Sequence, residues 1–482
     1  MALAAAAAGC GGGGGGTKGL PQGATLAPAR APAFISVRSD FTSSQWKNGL
    51  ALFRRFPSSG VLLTRLARQT NGVDFDRDVK PALGKEVDVV WLDFAHGGND
   101  VVALTKPPTR KKLEVLLHKL DAADTTQPRT IVRSAGGGWV VLSDTKRTLD
   151  RFDALRNHKL ADEPRFKDAM SSLDAKAAVR AYVDGHAVQD ALDRSLRRSG
   201  AAPQLTRDVA RLEAVVGSGS AESDGVAIDG GGVLDRKPGA KTYSPTLASE
   251  LPRGALFYLS FAHLDDPTSL VLRLVGRSKP NFDRQLQSVQ GVLNIDLRRD
   301  VYPLLRGEGA LAVYPQTPYP AVVYLQKVGD ETKAQTVLRR ISALADLSGS
   351  AHSGSTTVDG VGVASISFPQ NRVTVYDAVF KGRLLVTNSL NDVRAVVRGG
   401  ASLADDPVYA AARRRAHVPG DVVAFAYGDL GRALPYGYDL MRRSGSRVSP
   451  TARANTKPLE SGLLYATKDG NRLRMSGFVT IK

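Results

Sequence analysis

Val73-Asp74-Phe75-Asp76-Arg77-Asp78-Val79-Lys80-Pro81-Ala82-Leu83 is written a second time, 222 residues later, as Ile295-Asp296-Leu297-Arg298-Arg299-Asp300-Val301-Tyr302-Pro303-Leu304-Leu305. At the same offset Ala33-Phe34-Ile35-Ser36-Val37 falls on Ala255-Leu256-Phe257-Tyr258-Leu259, a second apolar run. Further on, Gly138-Trp139-Val140-Val141-Leu142-Ser143-Asp144 returns as Gly382-Arg383-Leu384-Leu385-Val386-Thr387-Asn388. Leu160-Ala161-Asp162-Glu163-Pro164-Arg165-Phe166 returns as Leu403-Ala404-Asp405-Asp406-Pro407-Val408-Tyr409, and the Asp224-Gly225 turn as Asp469-Gly470. The blocks keep their order and the offset jumps once, so the chain reads as an internal duplication with one loop insertion. Ser348 to Thr357, rich in Ser, Gly and Thr, is the expected insertion.

Each copy has the same expected elements. A strand (Ala33 to Val37; Leu256 to Phe261) precedes a helix, placed at about Asn281 to Leu293 in the second copy. The Asp-x-x-x-Asp-Val-x-Pro segment leads to strands at Val87 to Leu92 and Val101 to Leu104, or Gly309 to Tyr314 and Ala321 to Leu325. A helix follows, with Leu113, Leu116, Leu117 and Leu120 at helical spacing, or starting near Glu331. A hairpin comes next: Thr130 to Ser134 with Trp139 to Leu142, or Val373 to Val379 with Arg383 to Val386. The copy closes with helices, a strand (Val179 to Val183; Val422 to Tyr427) and a hairpin at Asp-Gly. Hairpins mixed with helices, without strict βαβ alternation, predict an α+β fold. The expectation is two tandem copies of a mixed, mainly antiparallel sheet module with helices packed on it. The first copy spans 23–238 and the second 246–482, with Gly230-Gly231-Gly232 and Asp235 to Pro245 as the connection.

At 482 residues the chain suits two domains of ordinary size, and 42% hydrophobic with 23% charged residues excludes wholesale disorder. The formal charge of +18 favours anionic partners, phospholipid headgroups or wall polymers among them. The densest basic cluster, Arg413-Arg414-Arg415, is read as a solvated helix face. Apolar runs such as Val87 to Phe94 are short and broken by Asp88 and Asp93, so none spans a bilayer.

The single cysteine is Cys10, preceded by Ala4 to Gly9 and followed by Gly11 to Gly16. Ala7-Ala8-Gly9-Cys10 resembles the processing site of a bacterial lipoprotein, in which the cysteine sulfur is acylated and becomes the new N-terminus. The usual aliphatic residue three before the cysteine is Ala7 here, and no Lys or Arg precedes the apolar stretch. Residues 1–22 are therefore read as a truncated signal with a glycine-rich tether, and Cys10 as the lipid attachment site.

The duplicated module, the blocks at 138–144 and 160–166 and the lipoprotein-like start together resemble a bacterial family known only as domain of unknown function 3352. That resemblance implies a secreted or lipid-anchored envelope protein of actinobacterial type. It brings no activity, cofactor or site residue with it.

Ser143-Asp144-Thr145-Lys146 fits the Ser-x-x-Lys pattern of penicillin-binding serine enzymes, in which the lysine accepts the serine proton from one turn along. Lys146 is replaced by Leu390 in the second copy, and no Lys-Thr-Gly exists, since Tyr243 follows Lys241-Thr242. A helix N-cap is the expected role. The seven histidines, His96, His118, His158, His186, His263, His352 and His417, show no ligand spacing, and no metal is expected. Asp74/Asp78 and Asp296/Asp300 could bind Ca²⁺ or work as acid and base. Arg77 and Arg299 between them favour a turn feeding into Pro81 and Pro303. The glycines at 136–138 and 230–232 lack a phosphate-loop Lys-Ser/Thr and are read as turns. No stacking aromatics accompany the basic residues, so nucleic acid is not an expected partner.

The expected function is thus non-enzymatic, without catalytic residues or cofactor: binding or structural work at an anionic membrane or wall surface, on the extracytoplasmic face. The first alternative is a carrier of a lipid or other apolar ligand. The second is an envelope hydrolase whose residues gather from distant positions.

Overall fold

The computed structural model describes residues 19–62, 64, 73–94, 98–123, 129–198, 212–265, 282–347, 349 and 351–482. Cys10, most of the tether and His96 lie outside them. The fold is α+β: the described residues form eighteen strands, and every register given below is antiparallel. The chain divides into two compact units. The first takes in Met1–Pro238, Ser449–Pro458 and Asp469–Lys482; the second is Gly239–Val448 with Leu459–Lys468. The closing segments at 449–458 and 469–482, given to the second module on sequence, pack with the first unit, where the last strand finds its partner.

In the first unit the strands are β1 (Ala33–Arg38), β2 (Glu86–Trp91), β3 (Val101–Thr105), β4 (Ile131–Gly136), β5 (Trp139–Ser143), β6 (Val179–Asp184), β7 (Leu212–Glu222) and β8 (Gly225–Leu234). The C-terminal strand β18 (Arg472–Ile481) joins them, giving the order β4-β5-β3-β2-β1-β6-β7-β8-β18. One sheet face packs Phe34, Val90, Leu104, Val141 and Tyr182 against Leu149 and Phe152 of helix Lys146–Leu155 and Phe166 and Met170 of helix Pro164–Ser171. Period-2 alternation in the strands and 3.6 periodicity in the helices bring these residues together. On the opposite face Val87, Val140 and Leu142 meet Leu113 and Leu117 of helix Arg110–Ala123.

Gly230–Gly232 are not the connection. They lie inside β8, between β7 and β18. A Cβ on Gly231 would overlap the Leu473 carbonyl, so close backbone passage selects glycine there. Gly136, Gly137 and Gly138, all at positive φ, do form the β4–β5 turn.

The second unit holds β9 (Phe257–Phe261), β10 (Gly309–Tyr314), β11 (Ala321–Lys327), β12 (His352–Val358), β13 (Val361–Phe368), β14 (Val373–Phe380), β15 (Arg383–Thr387), β16 (Ala424–Gly428) and β17 (Leu459–Asp469). Their order is β12-β13-β14-β15-β11-β10-β9-β16-β17. Helix Glu331–Leu347 supplies Ala334 and Val337 to a cluster with Ile295, Leu304 and Val328. The helix expected from about Asn281 runs Phe282–Leu293. The expected loop insertion is mostly a strand: His352–Val358 pairs with β13 around a left-handed Asp359-Gly360 turn. Its Ser and Thr residues, exposed in a row from His352, satisfy an edge strand without a core to cover.

Candidate functional site

The residues that sequence singled out for chemistry are occupied with structure. Ser143 Oγ, 6% exposed, donates back to Val101 O at 3.1 Å, and the helix is capped instead by Thr145, whose side chain accepts from Thr148 N at 3.1 Å. The cap therefore sits two residues later than expected, and Lys146 is an exposed first-turn residue. Ser389 caps the corresponding helix Leu390–Arg398 from Asp392 N.

The two aspartate pairs close π-helical turns by reciprocal capping. Asp74 accepts from Arg77 N at 2.7 Å while Asp78 accepts from Asp74 N at 2.8 Å; Asp296 and Asp300 do the same with Arg299 N and Asp296 N, each at 2.9 Å. Lys119 (2.7 Å), the Asp74 backbone and Arg77 hold the Asp78 carboxyl well below the ordinary carboxylate range. Arg299 does this for Asp300, down to about 2. Cations already pair with Asp78 and Asp300, and backbone N–H groups with Asp74 and Asp296. Among the described residues no group of three or more His, Cys, Asp or Glu is placed to hold a metal.

Arg413–Arg415 end helix Pro407–Arg415, but only Arg414 is a solvated face residue. The Arg413 guanidinium lies 6.0 Å from the Tyr409 ring centre and 5.9 Å from that of Phe425, and Arg415 pairs with Glu460 at 3.5 Å. The aromatic cluster beneath the helix, rather than solvent, takes one of the three.

A constellation missed on sequence crosses the first unit. Asp88, Ser36, Arg180, Ser218, Asp229 and Ser476 stand side by side on β2, β1, β6, β7, β8 and β18. Asp88, Ser36 and Arg180 are 0%, 1% and 2% exposed. Neither Asp88 carboxylate oxygen nor Ser36 Oγ has a hydrogen-bond partner. Burial, then the negative charge of Glu86, pushes the Asp88 carboxyl well above its usual range. Arg180 donates to Gly19 O, and Glu86 accepts from Gly23 N at 2.9 Å. A Cβ on Gly23 would overlap the Asp88 carboxyl group. The row thus seats the segment 19–27 against the core. The one sequence signal was Asp88 interrupting an apolar run at a core-facing parity.

That raised carboxyl gives a signed prediction. Folding takes up a proton at Asp88, so its contribution is complete below the unfolded carboxylate range (about 4) and is lost as pH rises toward the folded-state value. Asp88→Asn fixes the uncharged form beside Glu86, Ser36 and Arg180, the last itself facing Arg38 and Asp174. Its Tm relative to wild type is expected to climb steadily between acid and mildly alkaline pH. A flat difference in paired thermal melts would contradict an uncharged Asp88.

Each unit also leaves a row of apolar residues partly open on one sheet face. In the first unit Val89, Ile35, Ala181, Gly217, Gly230 and Met475 make one row on the face opposite Asp88. Val215, Gly217, Ile228, Gly230, Gly232 and Met475 line a cleft of about 380 Å³, with Met475 49% and Ile228 38% exposed. A Cβ on Gly219 would meet nothing, and one on Gly217 only Asp229 O at 3.7 Å. In the second unit Val386, Tyr324, Leu311, Leu259, Ala426 and Leu464 make the comparable row, with Phe257 49%, Leu464 41% and Leu259 40% exposed. A second cleft there, also about 380 Å³, is lined by Glu250, Lys381, Arg383 and Arg398. Its cations are largely spent: Arg383 forks onto Glu250 with two contacts of 2.6 Å, and Arg398 pairs with Asp359.

Residues 119–421 match the family model described as Protein of unknown function (DUF3352). The chain belongs to that family. Crystal form IV of TP0453 is similar at 12% identity over 49% of this chain and 94% of that chain, with a TM-score of 0.26. Crystal form III gives 11%, 49%, 95% and 0.25, and crystal form I 11%, 48%, 90% and 0.25. No curated protein matches the chain. For this family member, no helix among the described residues is long and apolar enough to cross a membrane.

Proposed function

We propose that this protein is a non-enzymatic binding protein of the cell envelope, held by an acylated Cys10 and built from two copies of one α+β module. The open apolar sheet face of each unit carries the binding part of that reading. Large apolar side chains left in water on a contiguous face mark interaction surfaces and ligand grooves. Ser143, Asp78 and Asp300, candidates for chemistry on sequence, are engaged in backbone hydrogen bonds and ion pairs.

Common descent of the two copies is supported by strand order. The first unit runs β4-β5-β3-β2-β1-β6-β7 and the second β14-β15-β11-β10-β9-β16-β17, element for element. Each has the Asp-capped π-turn, and each follows a Leu-Ala-Asp 3-10 turn with proline opening a helix. An acyl chain contributes about 0.8 kcal/mol per buried methylene, so a diacylated Cys10 would hold such a body at a bilayer. Feeding cells a clickable fatty acid is expected to label the wild type and leave Cys10→Ser dark. An unlabelled wild type, expressed with its natural leader, would remove the anchor.

The glycine-floored cleft of the first unit favours carriage of an apolar ligand as a second reading. Gly217, Gly230 and Gly232 line that cleft together with Val215, Ile228 and Met475. Native mass spectrometry of protein from its own host is expected to show co-purified lipid, lost in Gly217→Leu. Ligand-free wild-type protein under gentle conditions would set this reading aside.

A further inference from the structure

The charged cleft of the second unit stands where the first unit has apolar core. Buried Leu251, Leu325 and Val396 line it together with Glu250, Lys381, Arg383 and Arg398, three cations to one acid. Arg383 is held by its acid rather than used up. Nε and Nη2 fork onto Glu250, and Nη1 donates to Gly382 O at 3.2 Å, so two of its five N–H groups are left over. The Arg398–Asp359 pair, 2.7 Å apart, is largely exposed, and such a contact already competes with water and salt. Lys381 is exposed, and among the described residues its amine has no ion pair.

Backbone contacts fix which residues of the two copies correspond. Leu160 N donates to Ala27 O and Leu403 N to Leu251 O, each at 2.8 Å, so Glu250 stands where the first copy has Leu26. Trp139 and Arg383 open β5 and β15 directly after the turns Gly137-Gly138 and Lys381-Gly382. The C-cap of the helix that follows is Arg156 in the first copy and Gly399 in the second. Trp139 belongs to the first unit's core cluster, and Leu26 packs against that cluster. An apolar pair has thus become an ion pair beside an open cavity, an exchange that stability alone does not favour. Lys381 also sits at φ 47°, where Gly137 sits at 58°, a conformation costly to a lysine and free to a glycine.

We propose that this cavity binds a small organic anion: a phosphate or carboxylate group on a short apolar body. The Lys381 amine and the two spare N–H groups of Arg383 take the anionic group. The body lies against Leu251, Leu325 and Val396, in a volume suited to a small molecule. The comparison of copies rests on the duplication proposed above, whereas the cavity and its charges stand without it.

Ligand-observed NMR on the full chain, titrated with n-butyl phosphate, butyrate, inorganic phosphate and n-butylamine, tests this. At least one butyl anion is expected to bind roughly tenfold more tightly than n-butylamine and than inorganic phosphate, and the tighter of the two identifies the acid group. Lys381→Asn keeps a residue tolerant of positive φ and is expected to weaken that binding by roughly tenfold or more. Glu250→Leu with Arg383→Trp installs the first unit's pair and is expected to abolish it. Should the double variant fail to fold, Lys381→Asn decides alone. The proposal is overturned if neither butyl anion binds, or if n-butylamine or inorganic phosphate binds as tightly as they do. Undiminished binding by folded Lys381→Asn, or by the folded double variant, overturns it too.

Discussion

Replacing Glu308 with Leu is expected to lower the stability of the second unit by about 3 kcal/mol. Glu308 is 6% exposed and accepts from Thr246 N at 2.7 Å, Thr246 Oγ1 at 2.8 Å and Leu247 N at 2.9 Å, with Lys327 Nζ at 2.7 Å. One carboxylate therefore satisfies the start of the 3-10 turn Leu247–Ser249 and fixes it over β10 and β11. Lys327 is 31% exposed at its side chain and rehydrates when the partner goes. The two backbone N–H groups have no such escape, and each unsatisfied buried donor costs about 1–3 kcal/mol. At about 2–4 °C per kcal/mol for a unit of this size, the apparent Tm falls by roughly 10 °C. Glu308→Gln keeps one acceptor oxygen and is expected to lose far less. Scanning calorimetry on the three proteins checks the ranking; equal melting of Glu308→Leu and wild type would show that this carboxylate does not hold the turn.

Tyr409→Ala and Phe166→Ala should each cost about 3–5 kcal/mol, as large-to-small changes of buried aromatics do. Tyr409, 1% exposed, meets Tyr427 edge-on at 5.0 Å and Tyr258 and Phe425 at 6.0 Å. Phe166, 0% exposed, meets Tyr182 at 5.0 Å and Phe34 at 5.7 Å, both edge-on. Each ring is the last residue of a Leu-Ala-Asp-x-Pro-x-aromatic block and plugs the core under the central strands of its own unit. Tyr409→Phe and Phe166→Tyr preserve the ring and should retain most of the stability. Urea titrations of the four variants would count against this placement if the alanine changes cost no more than the ring-preserving ones.

Those blocks were legible because their requirements are local. Pro164 and Pro407, fit for a first helical turn, and Asp74 and Asp296, whose side chains reach an N–H three residues on, leave a fixed spacing in the sequence. The strands at Gly309–Tyr314 and Ala321–Lys327, and the helix from Phe282, followed from hydrophobic period in the same way. Gly230–Gly232 failed for the opposite reason. Three glycines read as a turn, whereas here the Leu473 carbonyl of a strand remote in sequence excludes a Cβ.

Arg413 reads as solvated from helix periodicity alone because its ring partners, Tyr409 and Phe425, include a strand residue that this periodicity does not announce. The Asp88 row was hidden similarly. Its members come from six strands, and only pairing puts Asp88 beside Ser36 and Ser36 beside Arg180. Ser348 to Thr357 misled by composition: Ser, Gly and Thr suggest a loop, yet a hairpin edge with β-branched threonines uses them equally well. The open faces left no mark, since an apolar strand residue looks the same whether a helix covers it or not.

Binding through those open faces is most directly tested with an apolar fluorophore, N-phenyl-1-naphthylamine, titrated into the folded full-length chain. Saturable binding is expected, displaced by free fatty acid, weakened by Gly217→Leu in the first unit and by Leu259→Asp in the second, with thermal melts confirming that both variants are folded. Failure of the wild type to bind the probe, or undiminished binding by both folded variants, would contradict the assignment of these faces as the working surface of the protein.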